Sequence, residues 1–442
     1  MKIINRVGVL LTGCMLVPCL LVAQSGTGEV PGNLTLEQCV EYALKNRAAV
    51  EQAAIDETIG DREINASLSG WLPQVNASFG GTHNIKLQQQ PFGDQIVTLG
   101  QKYTSNFLVE ANQSIFSSEL LLASKAARFR REQLDQNSLN TKINTVVDVS
   151  KAFYDILLSQ EQIRILNENL SRQEKQYQDA RSRFEVGLVD KTDYQRAAIT
   201  LANIRSDRKR AQETIKAKQA LLKQLMGFPV ESDLNLTYEY ENMQREVLID
   251  TTAVPDFANR IELRLLQTQR ELLRLNTSYS RWSLIPTISA YVNYNWLFFN
   301  NEFSELYSRT YPTSSAGLRV AIPVFQGTRR IQNIKIAELQ EQRADIGIAD
   351  ARKAINTEYQ AALASYKSSY NDWITLRDNL QLAQEVYEII RLQYDEGVKA
   401  YVDLIIAETD LRTTQLNYYN ALFNVLASKL DYQRAIGTID VN

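Results

Sequence analysis

Helical and strand-type hydrophobic patterns alternate along this chain, and two of the helical segments are very long. Residues 117–186 contain neither glycine nor proline. They predict one helix of about 70 residues, which is about 100 Å at 1.5 Å per residue. A second long helix is predicted over 327–395, and return helices over 190–226 and 401–435. Helices of this length indicate a coiled coil or a helical tube, and the heptad recurrence on the last helix fits that packing: Leu404, Leu411, Tyr418 and Val425.

Four shorter segments alternate apolar and polar residues with the period of a β-strand. Two of them, around 75–79 and 107–111, follow Pro73 and are separated by a polar segment, 88–102, that is predicted to be a loop. The other two, 288–296 and 318–322, follow Pro286. A helix is predicted before each pair, over 35–69 and 256–283. Aromatic residues near one end of the third strand fit a membrane-interface girdle: Tyr291, Tyr294, Trp296, Phe298 and Phe299.

The chain repeats itself once, with an offset of about 210 residues, which indicates one duplicated unit. Gly187 and Gly397 are 210 positions apart, and so are Asp193 and Asp403. We therefore divide the chain into a signal segment at 1–23, a first repeat at 24–229, a connector at 230–254 and a second repeat at 255–442. Further pairs of landmarks hold matching places in the two repeats: Asn46 and Asn259, Pro73 and Pro286, Gly227 and Gly437.

Composition narrows the classes of function. The formal charge of -3 and the pI of about 5.6 argue against a nucleic-acid partner. The mean hydropathy of -0.28 argues against a bundle of membrane-spanning helices. His83 is the single histidine and lies in a strand pattern, and no phosphate-binding loop or metal-ligand spacing occurs. We expect no enzyme activity, no metal and no cofactor.

The N-terminus has the pattern of an export signal. Lys2 and Arg6 precede an apolar run that ends in a small-residue cleavage site at Ala23. Two alternatives remain open, an anchoring helix and a lipoprotein in which Cys14 is acylated. Cleavage after Ala23 leaves Cys39 alone, so the exported protein is expected to contain no intramolecular disulfide.

Four amphipathic strands are too few to close a membrane barrel, so chains must pool them, unless the sheet belongs to a soluble protein. The duplicated unit, the prolines at the strand starts (Pro73 and Pro286), the Ile322–Gly327 run and the paired Phe/Tyr-x-x-Gly turns together resemble the TolC-like outer membrane efflux proteins. The resemblance implies a mainly α fold with membrane β structure. Each chain of a homotrimer would give long antiparallel helices to a periplasmic α-barrel and four strands to a twelve-stranded transmembrane β-barrel.

The resemblance also implies function and site residues. Such proteins are passive exit ducts of tripartite efflux or type I secretion systems, and a periplasmic adaptor protein and an inner-membrane pump open them. The turns at Gly187 and Gly397 correspond to the adaptor-docking tips. The residues that match the family's periplasmic gate are Thr192, Asp193, Tyr394, Lys399, Asp403 and Ile406.

Within that gate, the resemblance predicts a hydrogen bond from the Tyr394 hydroxyl to the Asp193 carboxylate and a contact between Lys399 and Thr192. Asp403 is expected to point into the pore and attract cations. Ile406 takes the place of a second acidic ring in some relatives and predicts a hydrophobic constriction instead. The competing hypothesis is a periplasmic coiled-coil adaptor or scaffold without a channel. The sequence does not identify the cargo.

Overall fold

The structure is a computed structural model that describes residues 33–187, 190–238, 240–251 and 257–441. The predicted signal segment, with Cys14, lies outside these residues. Helices, strands, one very long helix and a return helix follow each other in this order, and the same order occurs again in the second half of the chain.

The first half begins with two short helices rather than the single helix predicted over 35–69. Arg47 has φ -66° and ψ 124°, an extended conformation that separates them. The segment 88–102, predicted to be a loop, contains a β-hairpin. The elements are α1 (Leu36–Asn46), α2 (Ala48–Leu68), β1 (Gln74–His83), β2 (Gln88–Phe92), β3 (Gln95–Leu99), β4 (Tyr103–Phe116), α3 (Ser118–Glu185) and α4 (Lys191–Met226).

The second half follows a connector that carries one short helix. Strand β1 starts directly after Pro73, and the first strand of the second half starts directly after Pro286. The elements are α5 (Tyr240–Glu246), α6 (Ile261–Trp282), β5 (Thr287–Asn300), β6 (Tyr311–Ala321), α7 (Arg329–Asp395) and α8 (Tyr401–Ile436). We call α3 with α4 the first helical hairpin and α7 with α8 the second.

Asn-Arg pairs mark equivalent junctions between stacked helices. Arg260 has φ -63° and ψ 123°, nearly the conformation of Arg47, and α6 begins directly after it. The Arg47 guanidinium lies 3.2 Å from the Asp148 carboxylate on α3, and the buried Arg260 donates to the Ala435 carbonyl oxygen at 3.0 Å. These bonds hold the chain at both junctions. The end of α4 at Gly227 lies against Asn46, and the end of α8 at Gly437 lies against Asn259. Helix α2 therefore continues α4 along α3, and helix α6 continues α8 along α7.

The main sheet has the strand order β1-β4-β5-β6, and all its pairs are antiparallel. Its register gathers the apolar residues of all four strands on one face, because paired residues share a face and alternate residues do not. Val109, for example, pairs with Ala77 on one side and with Tyr294 on the other. The opposite face of the sheet is polar, as the pairing of Asn76 with Glu110 illustrates. The sheet therefore has one apolar and one polar surface.

The aromatic girdle predicted from the sequence is divided by this alternation. Tyr294, Trp296 and Phe298 lie on the apolar face. Tyr291 and Phe299 lie on the opposite face, because they differ from the others by an odd number of positions. The Arg319 guanidinium lies 5.3 Å from the Tyr291 ring, and Phe299 stacks on Tyr311 at 4.1 Å. The girdle prediction is wrong for these two residues.

Helix α3 is central, since it packs against α2, α4, α6 and α8. Helix α7 packs chiefly against α6 and α8 and forms one side of the chain. The main hydrophobic core lies midway along the helices, where Phe153, Leu222, Leu426 and Tyr432 are fully buried. Within the described ranges, no helix combines the length and apolar character needed to cross a membrane.

Candidate functional site

Each helical hairpin reverses direction at a glycine with positive φ. Gly187 has φ +78° and Gly397 has φ +77°, a region that glycine adopts without a steric penalty. Both glycine N–H groups donate to a carbonyl three residues back, Phe184 O and Tyr394 O, each at 3.0 Å. At the second turn, Val398 N donates to Gln393 O at 2.8 Å, which satisfies another carbonyl at the helix end. The conformation and the N–H bond of the glycine are therefore the same at the ends of both long helices.

These turns form the free end of the molecule, opposite the sheet. A Cβ atom at either glycine would meet no atom within 4 Å. The neighbouring valines are largely exposed, Val186 by 70% and Val398 by 72%. Each turn therefore presents one apolar side chain to solvent.

The predicted gate residues are grouped near these turns. Thr192 and Asp193 occupy the first turn of α4, Lys399 lies just before α8, and Asp403 is in the first turn of α8. Tyr394 is half-buried, and the Arg183 guanidinium lies 5.5 Å from its ring. Burial raises the pKa of Tyr394, against the opposing effect of Arg183. Nearby acids, including Asp193, raise it further.

The two predicted gate links are absent from this conformation of the chain. Among the hydrogen bonds and ion pairs of the described residues, none joins Tyr394 to Asp193 or Lys399 to Thr192. Tyr394 instead packs against Arg183 and, at 5.9 Å between ring centroids, against Tyr401. The Tyr394 ring lies in the contact between the two hairpins, and the two links stay predictions for the assembled gate.

Helix α8 carries one continuous exposed stripe. Near the turn this stripe is apolar, with Val402 and Ile406, the latter 54% exposed. Asp403 is half-buried at its margin. Farther from the turn the stripe becomes polar and contains Thr409, Thr413 and Asn417. A narrow apolar segment followed by a polar one is a suitable lining for a water-filled passage that is constricted at one end.

A polar network joins the two hairpins above the turns, and the sequence did not reveal it. The Arg172 Nε atom of α3 lies 3.3 Å from the Glu408 carboxylate of α8, and Glu408 is only 6% exposed. Next to it, the Gln173 amide donates to the Tyr401 hydroxyl at 3.2 Å. Burial raises the pKa of Glu408, while Arg172, Gln176 and Arg412 act against it.

One sequence signal could have indicated this network. Glu408 follows the heptad residue Leu404 by four positions and precedes Leu411 by three, so helical geometry places it beside a buried stripe. An acid there needs a basic or polar partner on a neighbouring helix. The sequence offers no comparable signal for Arg172, since arginines are frequent along α3.

Two long helical hairpins, with an amphipathic sheet at the other end, define the class of protein as an envelope-spanning duct subunit. A family model described as "Outer membrane efflux protein" matches residues 39–228 and 257–438, one segment in each repeat. The chain therefore belongs to the outer membrane efflux protein family. It is an outer-membrane exit duct of tripartite efflux or secretion systems.

Individual relatives are distant but extend over most of the chain. TolC of Vibrio cholerae is 22% identical over 407 residues, covering 91% of each chain. The probable efflux pump outer membrane protein TtgC of Pseudomonas putida is 20% identical and covers 94% of this chain and 85% of its own length. The proteases secretion protein PrtF of Dickeya chrysanthemi is 21% identical and covers 90% and 87%, respectively.

Solved structures share the fold. CusC aligns with a TM-score of 0.74 at 17% identity, covering 91% of this chain and 92% of the CusC chain. VceC of Vibrio cholerae aligns with a TM-score of 0.73 at 14% identity, covering 91% and 96%. Each similarity spans most of the chain and shows that the fold is shared.

Proposed function

We propose that three copies of this chain assemble into one passive duct, with the sheets in the outer membrane and the helical turns in the periplasm. The observation that carries the proposal is the open, amphipathic sheet. Its edge strands β1 and β6 have no partner strand among the described residues. In lipid, unpaired backbone groups cost several kcal/mol each, so the edges need strands from other copies.

Exposed side chains on the sheet support a lipid-facing surface. Val75 and Phe79 on β1 are each about two-thirds exposed, as is Leu318 on β6. All three lie on the apolar face. A surface of this kind is costly in water and favourable against lipid. Joining three such sheets edge to edge keeps the apolar face outside and gives the duct a polar interior.

The long helices carry a second surface that fits another copy of the chain. On α7, Leu382, Val386, Ile389 and Leu392 form one stripe with helical spacing, and each is more than half exposed. Because α7 forms one side of the chain, a neighbouring copy packed there would cover the stripe. Ile199 on α4, which is 62% exposed, lies on the other side of the chain and is a suitable counterpart.

We assign the periplasmic entrance to the region of the turns. Three copies of Ile406 would form an apolar constriction, and three copies of Asp403 would surround the opening with negative charge that attracts cations. Gly187 and Gly397, with the exposed valines beside them, are the proposed contacts of a periplasmic adaptor, itself joined to an inner-membrane pump. Export by an N-terminal signal peptide, with acylation of Cys14 as the alternative, belongs to the same proposal.

Two adjacent residues test the orientation of the sheet at equal depth. Ala316 lies on the apolar face, where it pairs with Val292, whereas Ser315 lies on the polar face and donates to Asn293 Oδ1 at 3.0 Å. Arginine on the lipid side of a membrane strand costs about 2 to 4 kcal/mol at the midplane. We expect Ala316→Arg to reduce assembly strongly and Ser315→Arg to preserve it.

The measurements are heat-modifiable migration of the outer-membrane fraction in gels, the mass of the purified particle and conductance in planar bilayers. Wild type and Ser315→Arg should give a trimer that conducts. A soluble monomer, or equal assembly of both arginine variants, would refute the proposed membrane duct.

A further inference from the structure

Within the four strands of the main sheet, two side chains carry a full charge at neutral pH, and both lie on the polar face. They are Glu110 of β4 and Arg319 of β6. His83, at the end of β1, lies on the apolar face, where its ring stacks on Tyr103 at 4.5 Å. Because the polar face would line a duct built from this sheet, Glu110 and Arg319 are the charges that the strands present to its interior.

Glu110 has only neutral neighbours in its cross-strand row. It pairs with Asn76 on one side and with Asn293 on the other, and Asn293 pairs in turn with Ser315. The Asn112 Nδ2 atom donates to Glu110 Oε1 at 2.8 Å, which orients the carboxylate and leaves its charge uncompensated. The row is therefore negative at one residue in each chain.

Arg319 is held in place by Tyr291. Tyr291 pairs with Gly317, and its ring covers this glycine, since a Cβ atom there would lie 3.1 Å from the Tyr291 hydroxyl oxygen. The Arg319 guanidinium lies 5.3 Å from the same ring, a cation–π distance that positions the group and preserves its charge. Arg319 lies four positions beyond Ser315 on β6. This separation is about 13 Å along the strand, which exceeds the screening length of about 10 Å at an ionic strength of about 0.1 M, so the two charges act separately on a passing ion.

We propose that three copies of Glu110 and three copies of Arg319 form two separate charged rings inside the membrane part of the duct, and that these rings set the ion selectivity of that part. This inference rests on the proposed assembly of three copies. The Glu110 ring favours cations, and the Arg319 ring favours anions. Both rings lie in the sheet, at the opposite end of the molecule from Asp403 at the turns.

The size of the effect follows from the geometry of such a barrel. Twelve strands spaced by about 4.8 Å and tilted by about 40° enclose a backbone radius of about 12 Å, so a glutamate carboxylate reaches to about 8 Å from the axis. Three charges at that distance in water change the ion concentration on the axis about sevenfold at about 0.01 M salt and about threefold at about 0.1 M. At about 1 M salt the change is only about 1.2-fold. The rings therefore select strongly at low ionic strength and hardly at all at high ionic strength.

Reversal potentials of the purified trimer in planar bilayers test the proposal. In a KCl gradient of about 0.01 to 0.1 M, we expect Glu110→Gln to lower the permeability ratio of K⁺ to Cl⁻ about threefold or more. Arg319→Gln should raise this ratio by a similar factor, because it removes the opposite charge. Both shifts should nearly disappear at about 1 M salt.

A double variant tests whether the charge acts as a member of a ring. Glu110→Gln/Asn293→Asp moves the carboxylate to the next strand of the same row, where an aspartate can still accept the bond from the Ser315 hydroxyl. We expect this variant to restore most of the wild-type permeability ratio. Asn76→Gln is the matched control, because it enlarges a neutral side chain of the same row and leaves the charge unchanged. Its ratio should equal that of wild type.

The outcomes separate this inference from the proposed function. If wild type forms no conducting trimer, the duct itself is refuted. If Glu110→Gln and Arg319→Gln form heat-resistant trimers that keep the wild-type ratio, the two rings are refuted while the duct stands. Shifts of the same sign, or shifts that persist at high salt, would also refute the rings, because they would reflect a change in the shape of the barrel. Should Glu110→Gln fail to assemble, Asn293→Asp alone decides, since a second acid in the row must raise the ratio.

Discussion

Replacing Gly227 by alanine should destabilise the protein more than the same change at Gly437. These glycines end α4 and α8, with φ +70° and +74°, so a Cβ atom costs each about 1 to 2 kcal/mol of backbone strain. At Gly227 that Cβ atom would also lie 2.1 Å from the Asn46 carbonyl oxygen. At Gly437 its nearest neighbours, the carbonyl atoms of Asn259, are 3.5 Å away, an ordinary contact.

The collision at Gly227 involves backbone, which cannot rotate away as a side chain does. Forcing the junction between α1 and α2 apart is a case of overpacking, with a further cost of about 1 to 3 kcal/mol. We therefore expect Gly227→Ala to melt at a lower temperature than Gly437→Ala, and both below wild type.

The assay is thermal unfolding in detergent, followed by far-UV circular dichroism at one fixed scan rate, because unfolding of such assemblies is often irreversible. Equal shifts for the two variants would refute the collision argument. If both variants melt at the wild-type temperature, the argument from positive φ is refuted as well. The yield of heat-resistant oligomer for each variant separates a folding defect from an assembly defect.

The remaining predictions concern the junctions, the thiol and the turns. Arg260→Met should lower the melting temperature more than Arg47→Met, because Arg260 is only 3% exposed. Its loss leaves the buried Ala435 carbonyl without that donor, at a cost of about 1 to 3 kcal/mol. The melting assay described above tests this difference. Burial raises the pKa of Cys39 to about 12, so the folded state favours the neutral thiol. The free energy of unfolding should therefore fall as the pH rises from the free-thiol pKa of about 8.5 towards 12. Maleimide should accordingly modify Cys39 near neutral pH only after denaturation, and labelling of the native protein, seen by mass spectrometry, would contradict its burial. Gly397→Ala should weaken adaptor binding in pull-down assays with little loss of oligomer, since its Cβ atom meets only solvent and the strain is confined to the turn.

The regular parts of the fold were predictable because they follow local rules. The absence of glycine and proline over 117–186 predicts the long helix, and the alternation after Pro73 and Pro286 predicts the strands. The segment that forms the β2–β3 hairpin was predicted as a loop because β2 is mostly glutamine and the segment contains Pro91, Gly93 and Gly100. Its signal was the Gly93-Asp94 pair, a two-residue turn whose glycine has φ +61°.

Features that depend on tertiary contacts were not predictable in this way. The helix break at Arg47 has no glycine or proline beside it. It results from the bonds of Arg47 to α3 and from the close approach of Gly227 to Asn46. The candidate gate could be predicted from the sequence only in part, for the same reason. The turns could be located from the duplication, whereas the bonds between hairpins depend on which helix faces come together.

Comparison of the repeats shows that equivalent helix faces differ in their contacts. The α7 stripe of Leu382, Val386, Ile389 and Leu392 corresponds, through the offset of 210, to four polar positions on α3: Arg172, Gln176, Asp179 and Ser182. The α3 positions include the partner of Glu408 within one chain, whereas the α7 positions remain exposed and apolar. Equivalent helix faces have therefore diverged into a polar contact inside the chain and an exposed apolar surface, which is the one we propose for contact between copies.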